Sequence, residues 1–127
     1  MNQIKLGKQE TIHFVGIGGI GMSGLAQIMK TMGFKIQGSD VNKNKNTENC
    51  KKLGIKILKG HKKNHINKVT IVVKSSAIKS NNVELISAKK KNTPIYDRIE
   101  MLASIINLKK NIIITGSHGK TTTTSLV

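Results

Sequence analysis

Residues 11–21 decide the fold, and they read Thr11-Ile12-His13-Phe14-Val15-Gly16-Ile17-Gly18-Gly19-Ile20-Gly21. The first five residues are mostly β-branched and apolar, which predicts a buried first strand. The next six match G-x-G-x-x-G, the pattern of a turn between a strand and a helix that binds a diphosphate. In such a turn the first glycine permits the tight bend, the second lets the backbone approach the diphosphate, and the third lets helix and strand pack closely. The segment therefore predicts a nucleotide-binding turn.

A β/α alternation continues through the rest of the chain. Apolar residues recur at helical spacing from Met22 to Met32, Gly33 ends that helix, and residues 35–40 follow as a second strand. Two strands joined by a helix are expected to be parallel. The weaker later pattern predicts helices at 47–53, 83–91 and 100–108, and strands at 55–58, 69–74, 94–96 and 111–115. The sequence therefore predicts an α/β fold with a Rossmann-like, doubly wound, mostly parallel sheet.

Asp40 stands at the predicted end of the second strand, about 20 residues past the glycine pattern, where an acidic residue can bond a ribose hydroxyl. By themselves the loop and Asp40 indicate NAD. The same loop geometry also holds other diphosphates, so the motif leaves two hypotheses open. One is an NAD-dependent oxidoreductase domain, and the other is a site for a different nucleotide.

A second glycine loop follows the apolar residues 112–114 and reads Gly116-Ser117-His118-Gly119-Lys120-Thr121-Thr122. It resembles the Walker A motif, although Ile114 stands where that motif has its first glycine. The loop N–H groups can cradle phosphates, Lys120 can neutralise the β and γ oxygens, and Thr121 can hold Mg²⁺. We therefore predict two domains. Residues 1–108 form the Rossmann-like domain, and residues 109–127 form the first strand and phosphate loop of a truncated P-loop ATPase domain.

The composition disfavours a nucleic-acid-binding, secreted or membrane protein. The net charge is +16, but the lysines are dispersed, aromatic residues make up 2% and Arg98 is the single arginine, so nucleic-acid readout is disfavoured. A basic nucleic-acid-binding module stays the third hypothesis. The N-terminus lacks the apolar core of a signal peptide, no apolar run approaches the roughly 20 residues that span a bilayer, and Cys50 stands alone. We expect a cytoplasmic protein with no membrane partner, and the oligomeric state is open.

Two nucleotide loops about a hundred residues apart make the chain similar to the Mur ligase family. Within that family it most resembles the branch that adds L-alanine to UDP-N-acetylmuramate, and the ligase that recycles murein peptides shares much of the same sequence. Two departures are mild, since the family commonly has alanine at Ile99 and threonine at Ser117. The residues that carry the resemblance are 13–26, Gly38-Ser39-Asp40, Gly60-His61, Ser75-Ser76-Ala77-Ile78, Arg98 with Glu100-Met101-Leu102, and 115–126.

The resemblance implies that the first loop holds the diphosphate of UDP-N-acetylmuramate and not NAD. The residues implied in binding this UDP-sugar are Gly16, Gly18, Gly19, Gly21, Met22, Ser23, Asp40, His61, Ser75, Ser76 and Ala77. The residues implied in binding ATP are Gly116, Ser117, His118, Gly119, Lys120, Thr121 and Thr122, with Lys120 as the catalytic charge and Thr121 on Mg²⁺.

In the family, ATP phosphorylates the muramoyl carboxylate, and the amine of L-alanine attacks the acyl phosphate in peptidoglycan precursor synthesis. The resemblance places the rest of the ATPase domain and the domain that receives the amino acid beyond Val127. We therefore expect the chain to have no ligase activity by itself.

Three further expectations concern polar residues. His13 is expected to be a packed or hydrogen-bonded core histidine, and His65 to lie on the surface. The asparagine-rich residues 42–46 are expected to form a mobile loop with no chemistry. Ser75 and Ser76 have a second interpretation, in which they only end a strand through local hydrogen bonds.

Overall fold

The structure, a computed structural model, describes residues 6–116 and the side chains of residues 6–109. Strands and helices alternate along the chain. The elements are β1 Thr11–Val15, α1 Ile20–Thr31, β2 Lys35–Asp40, α2 Lys45–Lys52, β3 Lys56–Lys59, a short 3-10 helix Lys63–Ile66, β4 Ile71–Lys74, α3 Val83–Lys90, β5 Ile95–Asp97 and α4 Arg98–Gly116. The predicted elements up to β5 are present with small shifts at their ends, whereas the 3-10 helix was not predicted from the sequence.

The five strands form one parallel sheet in the order β3-β2-β1-β4-β5. β1 lies at the centre, where His13 is opposite Gln37 of β2 and Val72 of β4. The chain winds outward from β1 to β3, then crosses back to β4 and winds outward again to β5. The doubly wound, parallel fold predicted from the sequence is confirmed.

Side chains alternate between the two faces of the sheet. One face, called here the α1 face, carries Ile12 and Phe14 of β1, which pack against α1 and against Met101 and Ile105 of α4. The opposite face, called here the α3 face, carries Val15 and Val72, which pack against the 3-10 helix and α3. Helices cover both faces, as near-continuous apolar strands require.

The strand predicted at 111–115 is wrong, because α4 continues through Gly116. No glycine or proline interrupts residues 98–115, so nothing in the sequence ends the helix. A helix also closes its backbone hydrogen bonds within one segment, whereas a strand needs a neighbouring strand. The domain boundary after residue 108 stays a prediction. Of the helices in the described range, none has the length and apolarity needed to cross a membrane.

Candidate nucleotide site

The carboxyl ends of the five parallel strands meet at one edge of the sheet, and the glycine loop lies there. β1 and β4 are neighbours whose connections leave in opposite directions, which makes the gap between them the switch point of the sheet. Ligands of open α/β sheets bind at this position. The loop after β1 and the turn after β4 are close together, since a Cβ on Gly16 would lie 3.0 Å from Cδ1 of Ile78. The glycine loop therefore lies beside the turn after β4, which contains the predicted residues Ser75 to Ala77.

The glycine loop is fixed by its own backbone and by β2. Gly16 has φ of +77°, a left-handed conformation that favours glycine. The N–H groups of Gly16 and Ile17 both donate to the carbonyl oxygen of Ser39, at 2.8 and 3.0 Å, and the N–H of Gly19 donates to the carbonyl of Gly16 at 3.2 Å. The turn is therefore held rigid before any ligand is bound.

The N-terminus of α1 opens onto this edge without a side-chain cap. Gly19 is the N-cap residue, it makes no side-chain hydrogen bond, and the first turn contains no acidic residue. The first N–H groups of a helix have no partner within the helix, and the helix dipole adds a positive partial charge there. Ile20 is 86% exposed and does not cover them. This geometry suits an anionic group such as a diphosphate.

Arg98 adds a full positive charge beside the same helix end. A Cβ on Gly21 would lie 2.9 Å from Nε of Arg98, so the guanidinium packs directly on the glycine backbone. Arg98 also lines a cleft of about 500 Å³ between β4 and β5. The other residues of the cleft are Lys74, Ser75, Ser76, Asp97, Ile99 and Glu100. Of the predicted residues of the β4 turn, Ser75 and Ser76 line the cleft, while Ala77 is exposed and does not.

Asp40 braces the glycine loop. Its Oδ2 accepts the N–H of Gly18 at 2.7 Å, and its Oδ1 accepts the N–H of Asn42 at 3.1 Å. Asn44 and Asn46 donate their side-chain amides to the carbonyl oxygen of Gly18, at 3.2 and 2.9 Å. Both polar groups of the Gly18 backbone are thus occupied by the chain itself.

The expectation of a mobile loop is therefore wrong for residues 44–46, which cap and begin α2 and hold the glycine loop. Asn44 is also the N-cap of α2 and forms a capping box with Thr47, in which each side chain bonds the other residue's backbone N–H. The sequence contained a signal for this cap, because asparagine is among the residues preferred at the N-cap of a helix. The amide contacts to Gly18 had no such signal, since they join residues that only the fold brings together.

Met22 and Ser23 differ from the other predicted residues because their side chains are turned into the core. Met22 is 2% exposed, and the Ser23 hydroxyl donates to the carbonyl of Ile20 at 3.2 Å. The backbone N–H of Ser23 is also occupied, since it donates to the carbonyl of Gly19 at 2.8 Å. Side-chain contact between either residue and a ligand is not supported by this geometry.

Glu84 of α3 is completely buried between that helix and the α3 face of the sheet. This carboxylate was not predicted from the sequence. Its Oε1 is 2.7 Å from Nε2 of His13 and accepts the Ser39 hydroxyl at 2.6 Å. Its Oε2 is 2.6 Å from Nδ1 of His65 and accepts the N–H of Lys62 at 3.0 Å. His13 is fully buried, as predicted, whereas the expectation that His65 lies on the surface is wrong, since its side chain is only 11% exposed.

These contacts decide the charge of Glu84. Burial raises the pKa of this carboxyl, but the hydrogen bonds from His13, Ser39 and His65, with the charge of His13, outweigh burial and lower the pKa to about 2. Glu84 is therefore ionised at neutral pH. Across the described side chains, no set of His, Cys, Asp and Glu is arranged to hold a metal ion.

The predicted ATP loop lies almost entirely outside the described residues. Gly116 is the last residue of α4, and Ser117 to Thr122, with Lys120 and Thr121, follow it. The predicted ATP and Mg²⁺ contacts therefore stay predictions.

A sequence model of the Mur ligase family, catalytic domain, matches residues 11–110. The chain belongs to the Mur ligase family. The match covers the whole sheet, the glycine loop and the first part of α4.

Individual relatives point to one branch of the family. The chain is 68% identical to the UDP-N-acetylmuramate–L-alanine ligase of Pelagibacter ubique over 98% of this chain and 27% of that protein. Its structure resembles the UDP-N-acetylmuramate-alanine ligase of Thermotoga maritima with a TM-score of 0.75 and 33% identity, over 79% of this chain and 23% of that one.

A solved ligase of the murein-peptide branch is less similar. The UDP-N-acetylmuramate:L-alanyl-gamma-D-glutamyl-meso-diaminopimelate ligase from Neisseria meningitides has a TM-score of 0.65 and 26% identity, over 70% of this chain and 28% of that one. The chain spans about a quarter of the length of the curated relatives that it matches.

Proposed function

We propose that this chain binds UDP-N-acetylmuramate and forms the UDP-sugar-binding part of an ATP-dependent ligase. That ligase would join L-alanine to the muramoyl carboxylate through an acyl phosphate, in the synthesis of peptidoglycan precursors. The observation that carries the proposal is the uncapped N-terminus of α1 at Gly19, with Arg98 packed beside it at the switch point of the sheet. The similar ligases from Pelagibacter ubique and Thermotoga maritima favour the L-alanine branch.

Each group at the edge of the sheet has a part in this proposal. The backbone N–H groups of the first turn of α1, from Ile20 to Met22, bind the diphosphate, and the Arg98 guanidinium offsets its charge. Ser75 and Ser76 contribute hydroxyls from the neighbouring cleft. Asp40 holds the loop through both of its oxygens, which accept backbone N–H groups, and each oxygen keeps a second lone pair for a hydroxyl group of the ligand.

The ATP half of the reaction is proposed from the sequence. Gly116 to Thr122 would cradle the triphosphate, Lys120 would neutralise the oxygens of the transferred phosphoryl group, and Thr121 would hold Mg²⁺. When bound, the metal ion would offset the charge that develops in phosphoryl transfer. A cytoplasmic location belongs to the same proposal. We expect no turnover from residues 1–127 alone, because the relatives are about four times as long.

Two other functions remain as alternatives. A murein peptide recycling ligase would share the nucleotide site and differ in the amino acid or peptide that it adds, and the Neisseria structure is the relative that supports it. An NAD-dependent oxidoreductase domain is disfavoured, because the family model is that of the Mur ligases and highly similar relatives are ligases that act on UDP-N-acetylmuramate.

Isothermal titration of the 127-residue chain with UDP-N-acetylmuramate tests the proposal. We expect saturable binding of the UDP-sugar, weaker binding of UDP, and no binding of NADH. A variant, Arg98→Gln, should weaken the UDP-sugar by roughly tenfold, because a charge-assisted contact contributes about 1.5 kcal/mol or more. Tight NADH binding without UDP-sugar binding would reverse the assignment in favour of an oxidoreductase domain.

A further inference from the structure

Glu84 lies outside the nucleotide site but is linked to it by hydrogen bonds. The carboxylate is completely buried, and four donor groups face it, from His13, Ser39, Lys62 and His65. An ionised carboxylate accepts hydrogen bonds and cannot donate them. Each of the four groups must therefore point its proton at Glu84, which fixes the direction of every bond in the network.

The direction of the bond from Ser39 determines where His61 carries its proton. The single hydroxyl proton of Ser39 is given to Glu84 at 2.6 Å, so the Ser39 oxygen is left as an acceptor. Nδ1 of His61 lies 3.1 Å from that oxygen and 3.6 Å from Oε1 of Glu84. Nδ1 is therefore the donor. A neutral imidazole that is protonated on Nδ1 has a bare lone pair on Nε2.

The bare nitrogen of His61 is accessible to a ligand. In the described part of the chain, every buried side-chain nitrogen or oxygen has a hydrogen-bond partner, and Nε2 of His61 has none there. The nitrogen is consequently not buried, and the His61 side chain as a whole is 18% exposed.

His61 lies at the same edge of the sheet as the glycine loop. It follows β3 directly, and the N–H of the preceding Gly60 donates to the carbonyl of Asp40 at 2.7 Å. Ser39 also holds the loop itself through its carbonyl, which accepts the N–H groups of Gly16 and Ile17. One residue thus bonds the loop by its backbone and His61 by its side chain.

We propose that Ser39 and Glu84 are positioning residues that hold His61 as a hydrogen-bond acceptor for an N–H or O–H group of the bound nucleotide. The inference rests on the proposed function, since it requires a nucleotide at this edge of the sheet. The proposed role of His61 is to select a nucleotide that offers a hydrogen-bond donor at this position. A base or sugar group that donates is accepted by Nε2, whereas a group that can only accept at the same position is left without a partner, and unpaired polar groups in a site oppose binding.

Substitution of Ser39 separates this role from a purely structural one. Ser39→Ala keeps the backbone carbonyl that holds the loop and removes only the hydroxyl. Ser87→Ala is the matched control, because Ser87 is also buried under the α3 face and its hydroxyl donates to the carbonyl of Lys63 at 3.1 Å. The probe is UDP, titrated into the 127-residue chain, with the protonated ring nitrogen of His61 identified by ¹⁵N NMR at a pH of about 8, where a free imidazole is neutral.

We expect wild-type His61 to carry its proton on Nδ1 and Ser39→Ala to give a mixture of the two tautomers. UDP affinity should fall about five- to tenfold in Ser39→Ala and stay unchanged in Ser87→Ala. In a His61→Ala background the Ser39 substitution should cost little further affinity, because the two residues act as one unit. A structural role alone would not produce that coupling.

Four results would overturn the proposal. A wild-type His61 protonated on Nε2 would contradict the assigned network. Wild-type UDP binding that Ser39→Ala leaves unchanged, or an additive effect in the double variant, would contradict the positioning role while leaving the proposed function intact. Failure of the wild-type chain to bind UDP or UDP-N-acetylmuramate would contradict the proposed function itself, and the role of His61 with it.

Discussion

The two faces of the sheet differ in what holds them together. The α1 face is held mainly by apolar side chains, with residues such as Phe14, Met29 and Met101 fully buried. The α3 face combines a smaller apolar cluster with the hydrogen bonds around Glu84. Apolar burial has no direction and depends on area and fit, whereas a buried polar network depends on every donor having its acceptor. The two faces should therefore respond differently to substitution and to pH.

Truncation on the α1 face should have the largest effect on stability. Phe14→Ala removes a completely buried ring from the central strand, and we expect a loss of about 3–5 kcal/mol in the free energy of unfolding. The loss should be the same at neutral and acidic pH, because no titrating group is removed. Urea denaturation followed by circular dichroism measures it. A loss below about 1 kcal/mol would contradict the close packing described for this face.

Substitution on the α3 face should have a somewhat smaller effect that depends on pH. The pKa of Glu84 is lowered from 4.5 to about 2, so its ionised form stabilises the fold fully above pH 4.5, and that stability is lost as the pH falls towards 2. Glu84→Gln should cost on the order of 3 kcal/mol at pH 7, and the difference from wild type should shrink across this interval.

The exposed helical residue Glu48 provides the control for this pH dependence. Its side chain is 54% exposed, and Glu48→Gln should change stability by no more than about 0.5 kcal/mol at any pH. Urea denaturation of the three proteins at several pH values makes the comparison. A cost for Glu84→Gln that is independent of pH would mean that Glu84 is not held as an anion.

The glycine loop lies at the edge of the sheet, where the two faces meet. A methyl group added at Gly18 tests whether the contact of the loop with Asp40 matters for binding. A Cβ on Gly18 would lie 2.7 Å from Oδ2 of Asp40 and 3.0 Å from Cγ2 of Thr47. Gly18→Ala should displace the loop and weaken UDP-N-acetylmuramate by about tenfold or more, near 1.4 kcal/mol. Titration calorimetry measures this change. Unaltered affinity would show that the tight contact between the loop and Asp40 is irrelevant to binding.

A glycine of the neighbouring helix should give the smallest effect, and in the opposite direction. Gly24 lies within α1, and a Cβ there would meet nothing within 4 Å. Gly24→Ala should stabilise the chain by about 0.5–1 kcal/mol, because alanine favours a helix interior, and should leave nucleotide affinity unchanged. Thermal unfolding checks the first expectation. A lower melting temperature would mean that this side of α1 is more crowded than described.

Much of the fold was predictable because its signals are local. The apolar run 11–15, the glycines that follow it and the helical spacing from Met22 to Met32 each lie within one stretch of sequence. They correctly gave the parallel, doubly wound sheet. The strand predicted at 111–115 also rested on a local apolar pattern, and in this case the pattern was misleading. An apolar β-branched run fits either a strand or a buried helix, and here no glycine or proline ends the preceding helix.

The site was only partly predictable because its second layer of contacts is not local. The glycine loop could be selected from its motif, whereas Arg98 was not among the predicted site residues. Glu84 lies 71 positions from His13 and 45 from Ser39, and nothing near it in sequence signals a buried carboxylate. The amides of Asn44 and Asn46 reach Gly18 only because β2 places them beside it. Asp40 matched a ribose-binding position in the sequence, yet in the structure its carboxylate bonds the loop.

The central claim is that the backbone at the start of α1 binds the diphosphate of a UDP-sugar, and amide NMR shifts test it most directly. UDP-N-acetylmuramate is titrated into the ¹⁵N-labelled 127-residue chain while the backbone amide resonances are followed. We expect the largest shifts at Ile20, Gly21 and Met22, with smaller shifts at Ser75 and Ser76. Saturable binding that leaves these amides unmoved, with the shifts confined to other loops, would contradict it.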